Sequence, residues 1–200
     1  MTQINRQADS SQRNRWFFGY GSLVNRSTHS HGGAHPARLG GWRRAWRQTT
    51  LRPLAFLTVV PDPDAEIDGL IAPVPGHGWA ALDERERGYD RVPAAHQVTH
   101  ALSLTPEIVV YAIPENRNDP QGHAAPVLLS YLDTVIQGYL REFGEDGAWR
   151  FFATTNGWDA PIIDDRAAPG YLRACRPSLQ ERAFVDDALH KIGVRPVPAA

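Results

Sequence analysis

Two short stretches carry residues whose types and spacing could do chemistry. The first is Gly19-Tyr20-Gly21-Ser22-Leu23, which interrupts the apolar, strand-like run Trp16-Phe17-Phe18. Gly19, Gly21 and Ser22 strip bulk from the end of that strand and leave backbone N–H groups bare. Such groups in a row can hold a carboxylate or an oxyanion without any basic side chain. The same motif is also an ordinary glycine-rich turn with nothing bound. The second stretch is Trp79-Ala80-Ala81-Leu82-Asp83-Glu84-Arg85-Glu86-Arg87, a run of good helix formers stopped by Gly88. At about 100° per residue, Glu86 falls on the stripe defined by Trp79 and Leu82. Glu84 falls on the opposite side, and Asp83 and Arg87 flank the outer edge. One acid of the cluster is therefore aimed at the interior.

Burying an ionised carboxylate is costly unless it is paired or its pKa rises. A raised pKa is what general acid–base work near neutral pH asks of a glutamate. The competing reading is a snorkelling or salt-bridged Glu86, with Arg85 or Arg91 as partner. An acid near a helix C-terminus opposes the helix dipole, which makes its presence there informative. Other candidates carry less. His29, His31 and His35, with His96 and His100, invite a zinc site, but they are irregularly spaced and no Cys or paired acid joins them, so no metal is expected. Ser22 lacks the Gly-x-Ser-x-Gly setting of a hydrolase nucleophile. Tyr111 is read as core packing, with a pocket-facing role as the alternative.

The elements that must position these residues follow from the pattern of the chain. Residues 1–14 have almost nothing to bury and read as a flexible arm, leaving 15–200 as one domain. A strand is expected over Trp16–Tyr20, then a long bent strand through Ala37–Trp46 with a bulge at Gly40-Gly41. Ala55–Val60 reads as a strand closed by a turn at Pro61-Asp62-Pro63-Asp64, and Gly69–Val74 as another. Gln97–Leu104 alternates like a half-buried strand, and Glu107–Ile113 reads as a buried one. The last third is helical: a helix from Pro126 to Gly144, a short one around Ala148–Thr154, and one opened by the Ser178/Glu181 capping box and ending near Gly193. Strands first and helices last, without βαβ alternation, argue for an α+β fold with an antiparallel or closed sheet. With 21 basic against 22 acidic residues, nothing points to nucleic acid or an anionic membrane. A single cysteine fits a reducing compartment, no apolar run is long enough to span a bilayer, and the polar N-terminus is no secretory signal, so a cytoplasmic location is expected.

The two stretches together resemble the γ-glutamylcyclotransferase-like superfamily, including its ChaC-like and AIG2-like bacterial members. The resemblance is carried by Phe18-Gly19-Tyr20-Gly21-Ser22-Leu23, by Ala37-Arg38-Leu39 with Gly41-Trp42-Arg43-Arg44, and by Leu82-Asp83-Glu84-Arg85-Glu86 with Gly88-Tyr89. It runs from about Trp16 to Ile113, with a weaker likeness in Phe151–Asp165 and Pro169-Gly170-Tyr171-Leu172-Arg173. It implies a small mixed, barrel-like β-sheet with peripheral helices. It also implies release of 5-oxoproline from a γ-glutamyl compound by intramolecular attack of the α-amine, without cofactor or metal. The family's catalytic Glu corresponds to Glu86, and its substrate loop to Tyr20, Gly21, Ser22 and Leu23. Where the glutathione-degrading ChaC-like branch carries Trp and Pro after Tyr-Gly-Ser-Leu, this chain has Val24-Asn25-Arg26, which leaves the γ-glutamyl leaving group open. The rival expectation is a non-catalytic γ-glutamyl or small-anion binding module on the same fold.

Overall fold

The computed structural model describes residues 15–119 and 125–199. The expected N-terminal arm, and residues 120–124 of the polar loop before the helical third, lie outside the described residues. The frame of the molecule is a long two-stranded ribbon. Strand β2 (His35–Thr49) turns at residues 50–51 into β3 (Arg52–Pro73), and the two pair antiparallel along their length. Strand β1 (Arg15–Gly19) pairs antiparallel with the far end of β3 and parallel with β6 (Glu107–Ala112). Strands β4 (Asp90–Pro93) and β5 (Val98–His100) form the edges, giving the order β4-β6-β1-β3-β2-β5, and β8 (Thr155–Asn156) adds to β2. This is a mixed, curled half-barrel sheet.

Helix α1 (Trp79–Arg85) follows the ribbon. The helical third consists of α2 (Leu129–Ala153) and α3 (Leu179–Lys191). A small sheet, β7 (Val127–Leu128), β9 (Ile162–Asp164) and β10 (Val197–Pro198), ties their connections together. Helix α2 is buried on nearly every side, polar faces included: Leu132, Val135, Ile136 and Tyr139 face the core, while Ser130, Asp133, Thr134 and Gln137 are also covered. Among the described residues no helix is long and apolar enough to cross a membrane.

Several expectations from the pattern are corrected. Pro61-Asp62-Pro63-Asp64 does not end a strand. It forms a wide irregularity within β3, where the register with β2 shifts between Gly40 and Trp42. A proline cannot donate to the ladder, and a bulge is where that loss is tolerated. The Arg43 guanidinium bonds Asp62 at 2.7 Å and closes the bulge on its outer side. The strand expected over 97–104 stops at His100, because it meets β2 only from Ala37 to Leu39 and Leu104 turns outward. Pro126 does not open α2. Its carbonyl accepts from the Ala55 N–H at 2.9 Å, Val127-Leu128 join β9, and the helix starts at Leu129. The two helical segments expected on either side of Gly144 are continuous except at that residue, whose φ of 67° breaks the geometry and suits only glycine. The capping box on α3 forms as read, with Ser178 accepting from the Glu181 N–H and Glu181 accepting from the Ser178 N–H.

Candidate active site

Glu86 is the first residue beyond α1, held there by its own N–H bond to the Leu82 carbonyl at 2.9 Å. Trp79 and Leu82 are buried, and the Glu86 side chain turns in beside them with only 16% of its surface exposed, against 69% for Glu84. The angular count along the helix thus describes the observed facing, although the helix ends two residues sooner than the pattern suggests. Arg85 Nε lies 3.1 Å from Glu86 Oε1. The competing salt-bridge reading is therefore also met, through Arg85 rather than Arg91, which pairs with Asp83. Burial is the larger effect: it pushes the Glu86 carboxyl above its ordinary range, partly offset by the charges of Arg85, Arg173 and Arg52.

The glycine-bearing loop sits opposite. Ser22–Val24 make a single 3-10 turn, with the Val24 N–H bonded to the Gly21 carbonyl. Tyr20 is clamped at both ends. Its hydroxyl donates to the Tyr111 carbonyl at 2.6 Å, and its own carbonyl accepts from Arg44 Nε at 3.2 Å and from the Tyr139 hydroxyl at 2.9 Å. Arg44 is only 1% exposed, so a fully buried guanidinium props the loop from behind. Behind Val24, Asn25 donates to the Thr134 carbonyl and to Gln137 of α2, both at 2.9 Å. Arg85 joins the two stretches, donating to the Thr28 carbonyl at 2.8 Å and to Ser22 Oγ at 3.2 Å while it holds Glu86. Ser22 thus meets an arginine, not a histidine base.

Glu86 and Tyr20, Gly21, Ser22 and Leu23 line one recess, with Tyr89, Tyr111 and Tyr131. Three phenols, buried Tyr20 and half-buried Tyr89 and Tyr131, line the recess with the acid. Tyr20 and Tyr89 are pushed well above the ordinary tyrosine value, and Tyr131 is raised as well, each chiefly by burial, so all three keep their protons at neutral pH. Tyr89 donates to the Leu57 carbonyl at 2.9 Å. The Tyr131 hydroxyl rests on the loop, facing the Ser22 backbone N–H. A Cβ on Gly21 would stand 2.8 Å from it, which is why glycine is required there. Tyr111 does both things considered for it, being core-buried and lining the recess, and its hydroxyl donates to Asp83 at 2.7 Å. Asp83 is held ionised by Arg91.

The recess opens into a cavity of about 850 Å³. Its walls include the β2–β3 ribbon (Trp46, Arg52, Leu57), the end of α1 (Glu86), the start of α2 (Tyr131) and the C-terminal segment 170–173. That segment is pinned to α2 through buried Asp165, which accepts from the Ser130 N–H at 2.8 Å, from Ser130 Oγ at 2.5 Å and from the Gly170 N–H at 2.8 Å. The Tyr171 ring then packs edge-on against Tyr131, 5.0 Å between centroids.

Tyr131 and Arg52 were not foreseen. Tyr131 is off the Leu132–Val135–Tyr139 stripe, and only the burial of α2 on several sides gives it an interior position. The sequence marks Tyr89 only as part of the Gly88-Tyr89 pair. The histidines do other work: His29 Nε2 bonds the Leu23 carbonyl at 3.0 Å, and burial lowers its pKa to about 4. His29 and His31 both meet the Phe17 ring edge-on. Among the described residues no group of three or more His, Cys, Asp or Glu side chains converges as a metal site.

This half-barrel is the fold of γ-glutamyl cyclotransferases. A solved structure described as a gamma-glutamyl cyclotransferase superposes with a TM-score of 0.55 at 15% identity, covering 86% of this chain and 98% of that one. YkqA from Bacillus subtilis superposes at 0.56 and 15% identity over 77% of this chain; the match spans 60% of YkqA. The uncharacterized protein loc79017 from Homo sapiens gives 0.52 at 17% identity, covering 86% and 97%. Residues 15–143, more than half of the chain, match the family described as ChaC-like protein, and the chain belongs to that family. Among curated proteins nothing matches it in sequence.

Proposed function

We propose that this protein is a γ-glutamyl cyclotransferase that releases 5-oxoproline from a γ-glutamyl compound. The observation that carries the reading is the inward Glu86 beside the 20–23 loop in one recess. Membership of the ChaC-like family supports it.

In the proposed reaction the γ-glutamyl headgroup occupies the recess. Glu86 takes a proton from the α-ammonium. The freed amine attacks the γ-carbonyl carbon, forming the ring C–N bond. The oxyanion collapses and the bond to the departing amine breaks. Two protons pass from the α-nitrogen to the leaving nitrogen, so the product amine leaves as an ammonium ion. No water, metal or cofactor is consumed. The reacting groups are already tethered, so positioning lies in folding the substrate back on itself. A carboxylate that shuttles both protons typically contributes ~10²–10⁴-fold, and a raised pKa brings Glu86 nearer to that task. The Tyr131 hydroxyl, resting on the Ser22 N–H, keeps its own proton free to donate to the oxyanion or the α-carboxylate. A hydrolase would need a second positioned acid, yet Asp83 is tied to Arg91 and Tyr111, and Glu84 lies outside beside Arg87.

The test incubates the protein with a panel of γ-glutamyl amino acids, peptides and amines in ¹⁸O-water and reads the products by mass. The expected product is unlabelled 5-oxoproline, with none from an N-acetylated substrate whose amine cannot attack. Labelled glutamate would indicate a hydrolase. Binding without turnover of any compound would indicate the non-catalytic module.

A further inference from the structure

The outer half of the cavity carries a charge pattern that the cyclisation chemistry does not use. Its wall holds four arginines, Arg52, Arg85, Arg87 and Arg173, and two acids, Glu84 and Glu86. Arg85 is paired with Glu86, and Arg87 with Glu84 at 3.3 Å. Among the described residues Arg52 and Arg173 form no ion pair; Arg52 stacks on the Phe56 ring, 3.8 Å from guanidinium to centroid. They come to the cavity wall from different parts of the chain, Arg52 at the start of β3 and Arg173 on the segment pinned by Asp165. The charges of both are felt at Glu86, so they face the same space as the acid. Two cations without an ion-pair partner in the wall of one pocket, whose floor the headgroup occupies, leave room for a second anion on the substrate.

Resting on the cyclotransferase reading, we propose that Arg52 and Arg173 determine specificity by binding a carboxylate on the leaving amine. The favoured substrates are then γ-glutamyl amino acids or peptides with a free terminal carboxylate, over γ-glutamyl amines. Arg52 lies within the residues that match the family, 15–143, and Arg173 beyond them, so the C-terminal segment supplies one of the two cations. Leu172, 95% exposed on the same rim, and half-exposed Leu51 offer apolar contact to the side chain that such a leaving group carries. Both arginines are solvent-exposed, so their effect is moderate and weakens with salt.

A matched pair of substrates tests this: γ-glutamyl-alanine and γ-glutamyl-ethylamide, which differ only in the leaving-group carboxylate. The wild-type protein is expected to favour the alanine compound in kcat/KM by at least about tenfold. Arg173→Gln and Arg52→Gln should each lower that preference, mainly by raising KM for the alanine compound, while any change transmitted through the charge at Glu86 falls on both substrates alike. Arg173→Lys should restore part of it, and 0.5 M salt should shrink it, at roughly a Debye length well below 10 Å. Equal rates on the two substrates, or variants that lose both activities alike, would overturn the inference while leaving the cyclotransferase reading intact. No 5-oxoproline from either substrate would overturn both.

Discussion

Glu86 is buried where an ionised carboxylate is unwelcome, and its environment sets a testable sign. Folding raises its pKa, mainly by burial, so the folded protein binds that proton more tightly than the unfolded chain. The stability contributed by Glu86 is therefore full below the ordinary value of 4.5 and is lost as pH rises through the folded value. Replacing it with Gln removes this cost. Glu86→Gln is expected to unfold at higher urea than wild type at pH 7, with the gap closing as pH falls below 4.5; a less stable variant at pH 7 would contradict the buried-acid account. A stability gain on removing a functional group is what a site built at the expense of stability shows. The inward facing of Glu86 was readable from residue spacing because a seven-residue helix has few ways to bury Trp79 and Leu82. Its partner was less readable: Arg85 and Arg91 are both close in sequence, and only the bond of Arg91 to Asp83, which also accepts from Tyr111, decides between them.

At the scale of elements, the loop and α2 are fitted to each other at contact distance. A methyl group on Gly21 meets the Tyr131 hydroxyl at 2.8 Å and Leu57 at 3.3 Å. Gly21→Ala is expected to destabilise by about 1–3 kcal/mol. In a Tyr131→Phe background the same change should cost measurably less, since the nearest obstacle is gone; urea unfolding of the four proteins in the cycle reads the coupling. Equal costs in both backgrounds would mean that the loop does not bear on Tyr131. The C-terminal wall rests on one buried acid. Asp165→Ala leaves the Ser130 and Gly170 N–H groups without their acceptor and should cost about 2–3 kcal/mol in unfolding free energy. A cost under 0.5 kcal/mol would show that the segment is held by something else. None of this was legible beforehand. Tyr131 sits off the apolar stripe, and Asp165 reaches Ser130, 35 positions away in sequence, a pairing no local pattern encodes.

At the scale of the molecule, the order of strands and helices was legible as an α+β chain, because periodicity reports which face is buried. What misled was punctuation. Pro61-Asp62-Pro63-Asp64 has the composition of a turn, but β2 alongside it keeps the ribbon going past a bulge, a tertiary fact. Pro126 likewise looked like a helix start, and β9 claims the next two residues instead. The loop and the acid lie within the family-matched residues, whereas Arg173 and Tyr171 lie beyond them, so the floor and the outer wall of the cavity come from different parts of the chain. The central claim is that Glu86 moves the protons that close the ring. Its most direct measurement compares 5-oxoproline release by wild type and Glu86→Gln on the best γ-glutamyl substrate at pH 7. The account predicts a loss of at least ~10²-fold in kcat, in a variant that is folded and no less stable. Activity in Glu86→Gln equal to wild type would contradict it.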